Sequence, residues 1–194
     1  MKKTNHSLLG FAAAATMLGT GAFANPETRE GEVASERHDA MSKQVSVEDK
    51  NFLDEALRGG TAEVKISELA KNKATNAEVR DLADRMIVDH RKVNEEIKAL
   101  SQNHGWKFQS TPHEKQQTAF NALQSRAGAE FDAAYVAQLK KDHEATIALF
   151  EEAAATAASP QVIDFAEKTL PKLRHHLEEV NDVIAETGIA QTVD

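Results

Sequence analysis

The stretch Val79–Leu100, VRDLADRMIVDHRKVNEEIKAL, decides the fold of this chain. Its apolar residues recur at steps of three and four, which places them on one face of an α helix. His90 stands in the middle of that face, where the core of a helical bundle would have an apolar side chain. The stretch therefore predicts an amphipathic helix with one polar residue on its buried face. The apolar positions of this face are Val79, Ala83, Met86, Val93, Ile97 and Leu100.

Three further stretches have the same pattern, with Glu63, His143 and His176 as the polar residues. A buried polar group costs roughly 1–3 kcal/mol unless it is satisfied. Four such residues, each near the middle of a different helix, therefore suggest that their side chains meet. Their apolar neighbours are Phe52, Ala56, Ile66 and Ala70 around Glu63; Val136, Leu139 and Phe150 around His143; and Val162, Ala166, Leu173, Val180 and Val183 around His176.

The fold class predicted from this periodicity is all-α. No alternating β-branched run is present, and Ala, Glu and Lys dominate. We expect a four-helix, ferritin-like bundle with a short extra connecting helix between the second and third main helices. The expected helix limits are Ser46 to Asn72; a capping box Thr75–Glu78 to the break at Asn103–Gly105; a capping box Thr111–Glu114 with Pro112 as first helical residue, ending before Gly128; Ala129 to Thr156; and Ser159-Pro160 to Gly188.

The N-terminus has the pattern of a secretory signal peptide. Lys2 and Lys3 precede the uncharged apolar run Leu8–Gly21, and Ala22-Phe23-Ala24 supplies small residues at the cleavage site. The run is too short to span a bilayer. We expect cleavage after Ala24, export to the periplasm and no transmembrane anchor after cleavage. The predicted domains are a signal peptide (1–24), a flexible polar leader (25–45), the bundle (46–187) and a C-terminal tail (188–194).

Composition excludes several classes of function. The chain has no cysteine, so disulfides, iron–sulfur clusters and thiolate nucleophiles are ruled out. Its 31 acidic and 23 basic residues give a net charge of −8, which becomes −10 when Lys2 and Lys3 are removed. An acidic chain is a poor candidate for binding nucleic acid. No nucleophile–base set or Gly-rich phosphate loop appears, so no catalytic residue is predicted and an enzymatic function is disfavoured.

Several segments together resemble the bacterial secreted proteins grouped as domain of unknown function 4142. The resemblance covers about 47–185 and implies a ferritin-like helical bundle in the periplasm or outer membrane, without an established activity. The segments that carry it are Asn51–Ala56, Glu63–Ala70, Met86–His90, Gly128–Asp132 and Thr169–Leu177.

The polar residues depart from a di-iron carboxylate site, which needs Glu-x-x-His motifs. The residues three before the histidines are Ile87, Lys140 and Leu173. Three interpretations of the four residues stay open. They are a mononuclear site for a divalent transition metal (zinc, iron, copper or nickel), a buried hydrogen-bond network that fixes helix register, and unrelated positions at different depths.

The aspartates before two of the histidines, Asp89 and Asp142, are candidate outer-sphere partners, although adjacent helix positions point about 100° apart. His175 is expected on the surface. The leading prediction of function is a non-catalytic envelope or stress-related binding or structural module. The alternative is a metal-binding or redox protein that uses Glu63, His90, His143 and His176. A second copy of the chain or an envelope protein is the class of partner left open.

Overall fold

The computed structural model describes residues 46–109 and 111–189, and within these ranges it contains five α helices and no β strand. The predicted all-α class is confirmed. The predicted signal peptide, the leader and the end of the tail lie outside the described residues. The helices are α1 (Val47–Lys73), α2 (Ala77–Asn103), α3 (Glu114–Gln124), α4 (Gly128–Thr156) and α5 (Pro160–Thr187).

The long helices form two hairpins. α1 packs along α2, and α4 packs along α5, through the short links 74–76 and 157–159. The hairpins contact each other through α1 with α4 and through α2 with α5, while the short α3 lies against α1 and α4. None of the helices in the described ranges is long and apolar enough to cross a membrane.

Two apolar clusters form the core, and each long helix contributes to both. On α1, Phe52 and Leu53 belong to one cluster, whereas Ile66 and Ala70 belong to the other. The same change of cluster occurs on α2, α4 and α5. On each helix the predicted polar residue stands at the change, so the four polar residues occupy the level between the two clusters. We call it the polar level, and it consists of Glu63, His90, His143 and His176.

A buried aspartate at the start of each hairpin binds the link of the other hairpin. The carboxylate of Asp49 accepts hydrogen bonds from the backbone N–H groups of Ala158 (3.0 Å) and Ser159 (2.9 Å). Asp132 accepts from the backbone N–H groups of Thr75 (3.0 Å) and Asn76 (2.9 Å) and from the Thr75 hydroxyl. These bonds tie the hairpins together at their links, over large separations in sequence.

These contacts correct the predicted start of α2. Thr75 is not its N-cap, because its hydroxyl donates to Asp132. Asn76 takes that position, and its side chain accepts from the backbone N–H groups of Glu78 and Val79. Ser159 does precede α5 as predicted, but its hydroxyl donates to Gln161 rather than capping the helix.

The start of α3 also differs from the prediction. The helix begins at Glu114, after Thr111 and Pro112, and His113 is the N-cap. The Gln116 side chain accepts a hydrogen bond from the backbone N–H of His113 (2.7 Å), which is the side-chain-to-N-cap bond of a capping box. α3 ends at Gln124 and α4 begins at Gly128, one residue earlier than predicted. Gly128 has φ +58°, a conformation that glycine adopts without steric cost.

The adjacent glycines of α1 stand in different surroundings. A Cβ atom on Gly60 would lie 2.3 Å from the buried Asn94 Oδ1 of α2, whereas a Cβ on Gly59 would meet only Gln116 Nε2 at 3.9 Å. A Cβ at position 60, unlike one at position 59, would therefore force the Asn94 side chain to move.

We expect Gly59→Ala to raise the free energy of unfolding by up to about 1 kcal/mol, because alanine favours the helix. Gly60→Ala should lower it by roughly 1 kcal/mol, since the clash with Asn94 exceeds the helical gain. Urea unfolding measures both. In an Asn94→Ala background the clash is gone and Gly60→Ala should become stabilising; a Gly60→Ala loss that persists there would show that Asn94 is not the cause.

Candidate metal centre

The four predicted polar residues meet at the centre of the bundle. Glu63 Oε2 lies 2.6 Å from His90 Nε2 and 3.8 Å from His143 Nε2. His143 Nε2 lies 3.4 Å from His176 Nδ1. The three imidazoles each offer a nitrogen, and these nitrogens all lie within 4.8 Å of one another. The interpretation that the residues stand at different depths is therefore wrong.

The ring of His143 is held by its own helix. Its Nδ1 lies 2.9 Å from the Leu139 carbonyl oxygen, one turn earlier. A carbonyl oxygen can only accept, so Nδ1 carries the proton and donates it. In the neutral imidazole the other nitrogen, Nε2, then has its lone pair free, and that lone pair faces the centre.

The ring of His176 is held by the neighbouring helix α2. Its Nε2 lies 2.9 Å from the carboxylate Oδ2 of Asp89, to which it donates. The second carboxylate oxygen of Asp89 accepts from Lys172 Nζ at 2.7 Å. The Nδ1 atom of His176 is therefore the unprotonated nitrogen of the neutral ring, and it faces His143. A carboxylate behind an imidazole is the usual outer-sphere arrangement of a metal-binding histidine.

The contact between Glu63 and His90 is short but poorly aligned. Although Glu63 Oε2 and His90 Nε2 are 2.6 Å apart, neither atom makes a hydrogen bond of acceptable geometry. Both atoms are buried, and the two side chains are only 4% and 5% exposed. We interpret the contact as an electrostatic one that leaves the hydrogen-bonding capacity of both atoms unused.

The electrostatics favour an ionised Glu63 carboxylate, make His90 easier to protonate and favour a neutral His176. Burial alone would favour neutral Glu63, but the surrounding rings of His143, His90 and His176 lower its pKa to about 2. Burial opposes a charge on His90, yet the Glu63 carboxylate outweighs burial and raises the His90 pKa. Burial lowers the pKa of His176 to about 4, against the opposing effect of Asp89. His176 is therefore neutral at neutral pH, which is the form in which an imidazole can bind a metal ion.

A divalent transition metal fits these atoms. Four ligands placed about 2.0–2.1 Å from a tetrahedral zinc ion lie about 3.4 Å from each other. The observed separations of 3.4 Å and 3.8 Å are close to this value. The 2.6 Å contact of Glu63 with His90 would have to lengthen, and the histidine nitrogens, which are up to 4.8 Å apart, would have to move closer together. A cation at the centre would satisfy four groups. They are the unpartnered Glu63 Oε2 and His90 Nε2 atoms and the two facing lone pairs of His143 and His176.

The sequence predicts the same outer-sphere role for Asp89 and Asp142, but the structure distinguishes the two. Asp89 reaches His176 because it faces a different helix from its neighbour His90, so the 100° offset is what allows the contact. Asp142 contacts none of the histidines through a hydrogen bond, and its carboxylate accepts from the Gln138 amide at 2.8 Å and 2.9 Å. Burial raises the pKa of Asp142. His175 is exposed, as its position off the apolar face predicts.

Comparison with known proteins identifies the family and supports the fold. The chain belongs to the family described as domain of unknown function DUF4142, whose sequence profile matches residues 34–183. No curated protein matches the sequence. The chain is similar in structure to a DUF305 fragment from Deinococcus radiodurans, with a TM-score of 0.67 and 11% sequence identity. That similarity covers 74% of this chain and 99% of the fragment, and at this identity it concerns the fold alone.

Proposed function

We propose that this member of the DUF4142 family is a metal-binding protein that holds one divalent transition metal ion with Glu63, His90, His143 and His176. One observation carries the proposal. In the neutral rings of His143 and His176 one nitrogen donates a hydrogen bond to Leu139 or Asp89, so the other nitrogen carries a lone pair. These two lone-pair nitrogens, His143 Nε2 and His176 Nδ1, face each other at 3.4 Å. Two buried acceptors repel unless a cation lies between or beside them.

The cation could be a proton or a metal ion, and the carboxylate favours the metal. Glu63 adds a negative oxygen that has no hydrogen-bond partner of its own. Three imidazoles and one carboxylate suit zinc, iron, copper or nickel. Because all four candidate ligands come from side chains fixed in helices, and four protein ligands close a tetrahedral site, the proposed role is metal binding rather than catalysis.

The proposed setting is the periplasm. The signal-peptide pattern at 1–24 supports export, the polar segment 25–45 would then be the start of the mature chain, and 46–187 would be the metal-binding bundle, followed by the tail 188–194. A metal-binding bundle without cysteine is compatible with an oxidising compartment. An envelope or stress-related role is part of this proposal.

A hydrogen-bonded structural core is the second candidate, supported by the bonds that the rings of His143 and His176 donate to Leu139 and Asp89. In that case a proton shared between His143 and His176 would relieve the facing lone pairs. The two candidates differ in one respect: only the first gives the protein an affinity for metal ions that depends on all four side chains.

Metal addition to chelator-treated protein is expected to raise the melting temperature. At a free-ion concentration 100 times the Kd, binding to the native state adds about 2.7 kcal/mol, which corresponds to roughly 5–10 °C for a chain of this size. His143→Ala should abolish most of the rise, because it removes a ligand fixed by its own helix. Zinc, copper, nickel and, without oxygen, ferrous iron are each titrated and followed by calorimetry.

The matched control is His175→Ala, which changes a histidine whose side chain is 66% exposed on the same helix as His176. It should keep the full rise. Metal analysis of protein purified without a histidine tag should give one ion per chain. If none of the four metals shifts the midpoint, or if His143→Ala keeps the shift of the wild type, the metal site is refuted and the structural core is the better account.

A further inference from the structure

A cavity of about 390 Å³ lies between α1, α3 and α4 and extends to the candidate metal centre. Of the four candidate ligands, Glu63 alone lines it. Much of the wall is made of residues with small side chains, and these leave space that larger residues would fill. They include Gly59 and Ala62 of α1, Ala119 of α3 and Ala145 of α4.

The three histidines of the centre are packed in the interior of the bundle. The three histidine side chains are at most 5% exposed, and none of them lines the cavity. Between α2 and α5, the ion pair of Asp89 with Lys172 lies behind His176. Along the bundle, the two apolar clusters lie above and below the polar level. A hydrated cation cannot cross packed apolar side chains without losing its water at high cost.

We propose that the cavity beneath α3 is the path by which the metal ion enters and leaves the centre. This rests on the proposed metal-binding function. Glu63 is the candidate ligand that lines this path, and its Oε2 atom has no hydrogen-bond partner, so an arriving cation meets Glu63 first and exchanges its waters there before the imidazoles bind.

We expect the width of this path, rather than its electrostatic attraction, to control how fast a cation passes through it. Along the cavity the carboxylates of Glu55 and Asp142 are offset by the ammonium groups of Lys115 and Lys141, so the one excess negative charge is that of Glu63 at the candidate centre. Glu55 is also 3.8 Å from Lys115 and 2.6 Å from His113. A steric obstruction should therefore change the rate of exchange more than a change of charge does.

The test is Ala119→Phe, which narrows the cavity from α3, a helix that carries none of the four ligands. Binding of cobalt(II), a coloured stand-in for zinc, is followed by stopped-flow absorbance, and release is followed after mixing with a chelator. We expect the association and dissociation rates to fall together by roughly tenfold or more, with the equilibrium affinity unchanged within about twofold, because a path affects both directions equally. Ala145→Phe, which obstructs the cavity from the exposed side of α4, should act the same way and guards against a folding defect in the first variant.

The matched control is Ala122→Phe, because Ala122 lies on the exposed side of α3, three residues after Ala119, and does not line the cavity. Its rates should equal those of the wild type. If the wild type binds cobalt and both obstructing variants exchange it at the wild-type rate, the path is elsewhere and this inference is wrong. If the wild type binds no metal ion at all, the proposed function itself fails and the path with it.

Discussion

Replacing Glu63 with alanine should lower the free energy of unfolding of the metal-free protein by roughly 3 kcal/mol near pH 6. The change removes the only carboxylate of the polar level, which lies 2.6 Å from His90 and 3.8 Å from His143. It removes the carboxylate beside His90 and His143, leaves Asp89, which is bonded to His176, as the nearby counter-charge, and creates a void between two apolar clusters. Urea unfolding followed by circular dichroism measures the loss.

The pH dependence of this loss follows from two opposite pKa shifts. The Glu63 pKa is lowered from 4.5 to about 2, so its contribution is fully present above about pH 4.5 and is lost as the pH falls towards 2. At about 1.4 kcal/mol per pKa unit, this shift alone corresponds to roughly 3 kcal/mol. The His90 pKa is raised, so its contribution is present below 6.5 and is lost as the pH rises through the folded-state value. The difference between wild type and Glu63→Ala should therefore be greatest between about pH 4.5 and 6.5.

Glu63→Gln should cost less than Glu63→Ala, because the amide keeps an acceptor and most of the volume. Glu68→Ala is the control on the same helix: the Glu68 side chain is 46% exposed and pairs with Arg91 at the surface, where an ion pair contributes about 0–1 kcal/mol. Equal urea midpoints for Glu63→Ala and Glu68→Ala, or a Glu63→Ala loss that does not shrink below pH 4, would contradict the buried-carboxylate interpretation.

The apolar periodicity was sufficient to place each of the four polar residues on the buried face of its helix. A helix face has a fixed repeat, so His90 among Met86, Val93 and Ile97 must point the same way as they do. That the four residues also lie at one level depends on how the four long helices align, and the structure shows this alignment by the apolar clusters on either side. The positions of the cap residues were also predictable, because serine before a helix and glycine after it are local signals. These residues are Ser46, Ser159 and Gly188.

What the sequence could not predict depends on contacts between distant residues. The side chain of Thr75 is a good N-cap in isolation, and it fails as one here only because Asp132, more than fifty residues later, takes its hydroxyl. The contact of Asp89 with His176 spans more than eighty residues, and the orientation of each imidazole depends on such partners. The cavity beneath α3 likewise needs the position of α3, which no periodicity in an 11-residue helix specifies.

The buried aspartates that join the hairpins lead to the second large effect. Asp49 and Asp132 are each 1% exposed, and each carboxylate accepts at least two backbone N–H bonds from the opposite hairpin link. Hydrogen bonds to a charged group contribute about 1.5–3 kcal/mol, so Asp49→Ala and Asp132→Ala should each lower the free energy of unfolding by roughly 2–3 kcal/mol. Because Ser159, which Asp49 binds, is itself buried, whereas Thr75 is exposed, Asp49→Ala should be the more costly of the two.

The double variant tests whether these contacts act independently. The two aspartates bind at opposite ends of α1, about 40 Å apart for a helix of 27 residues. Changes at such a distance add within about 0.5 kcal/mol, so the double variant should lose about 5 kcal/mol, a large part of the stability of an ordinary domain. Asp182→Ala, at an exposed position of α5, should change little. Single losses below about 0.5 kcal/mol would mean that water replaces the carboxylates at the links, and the hairpins would then be held together by the apolar clusters alone.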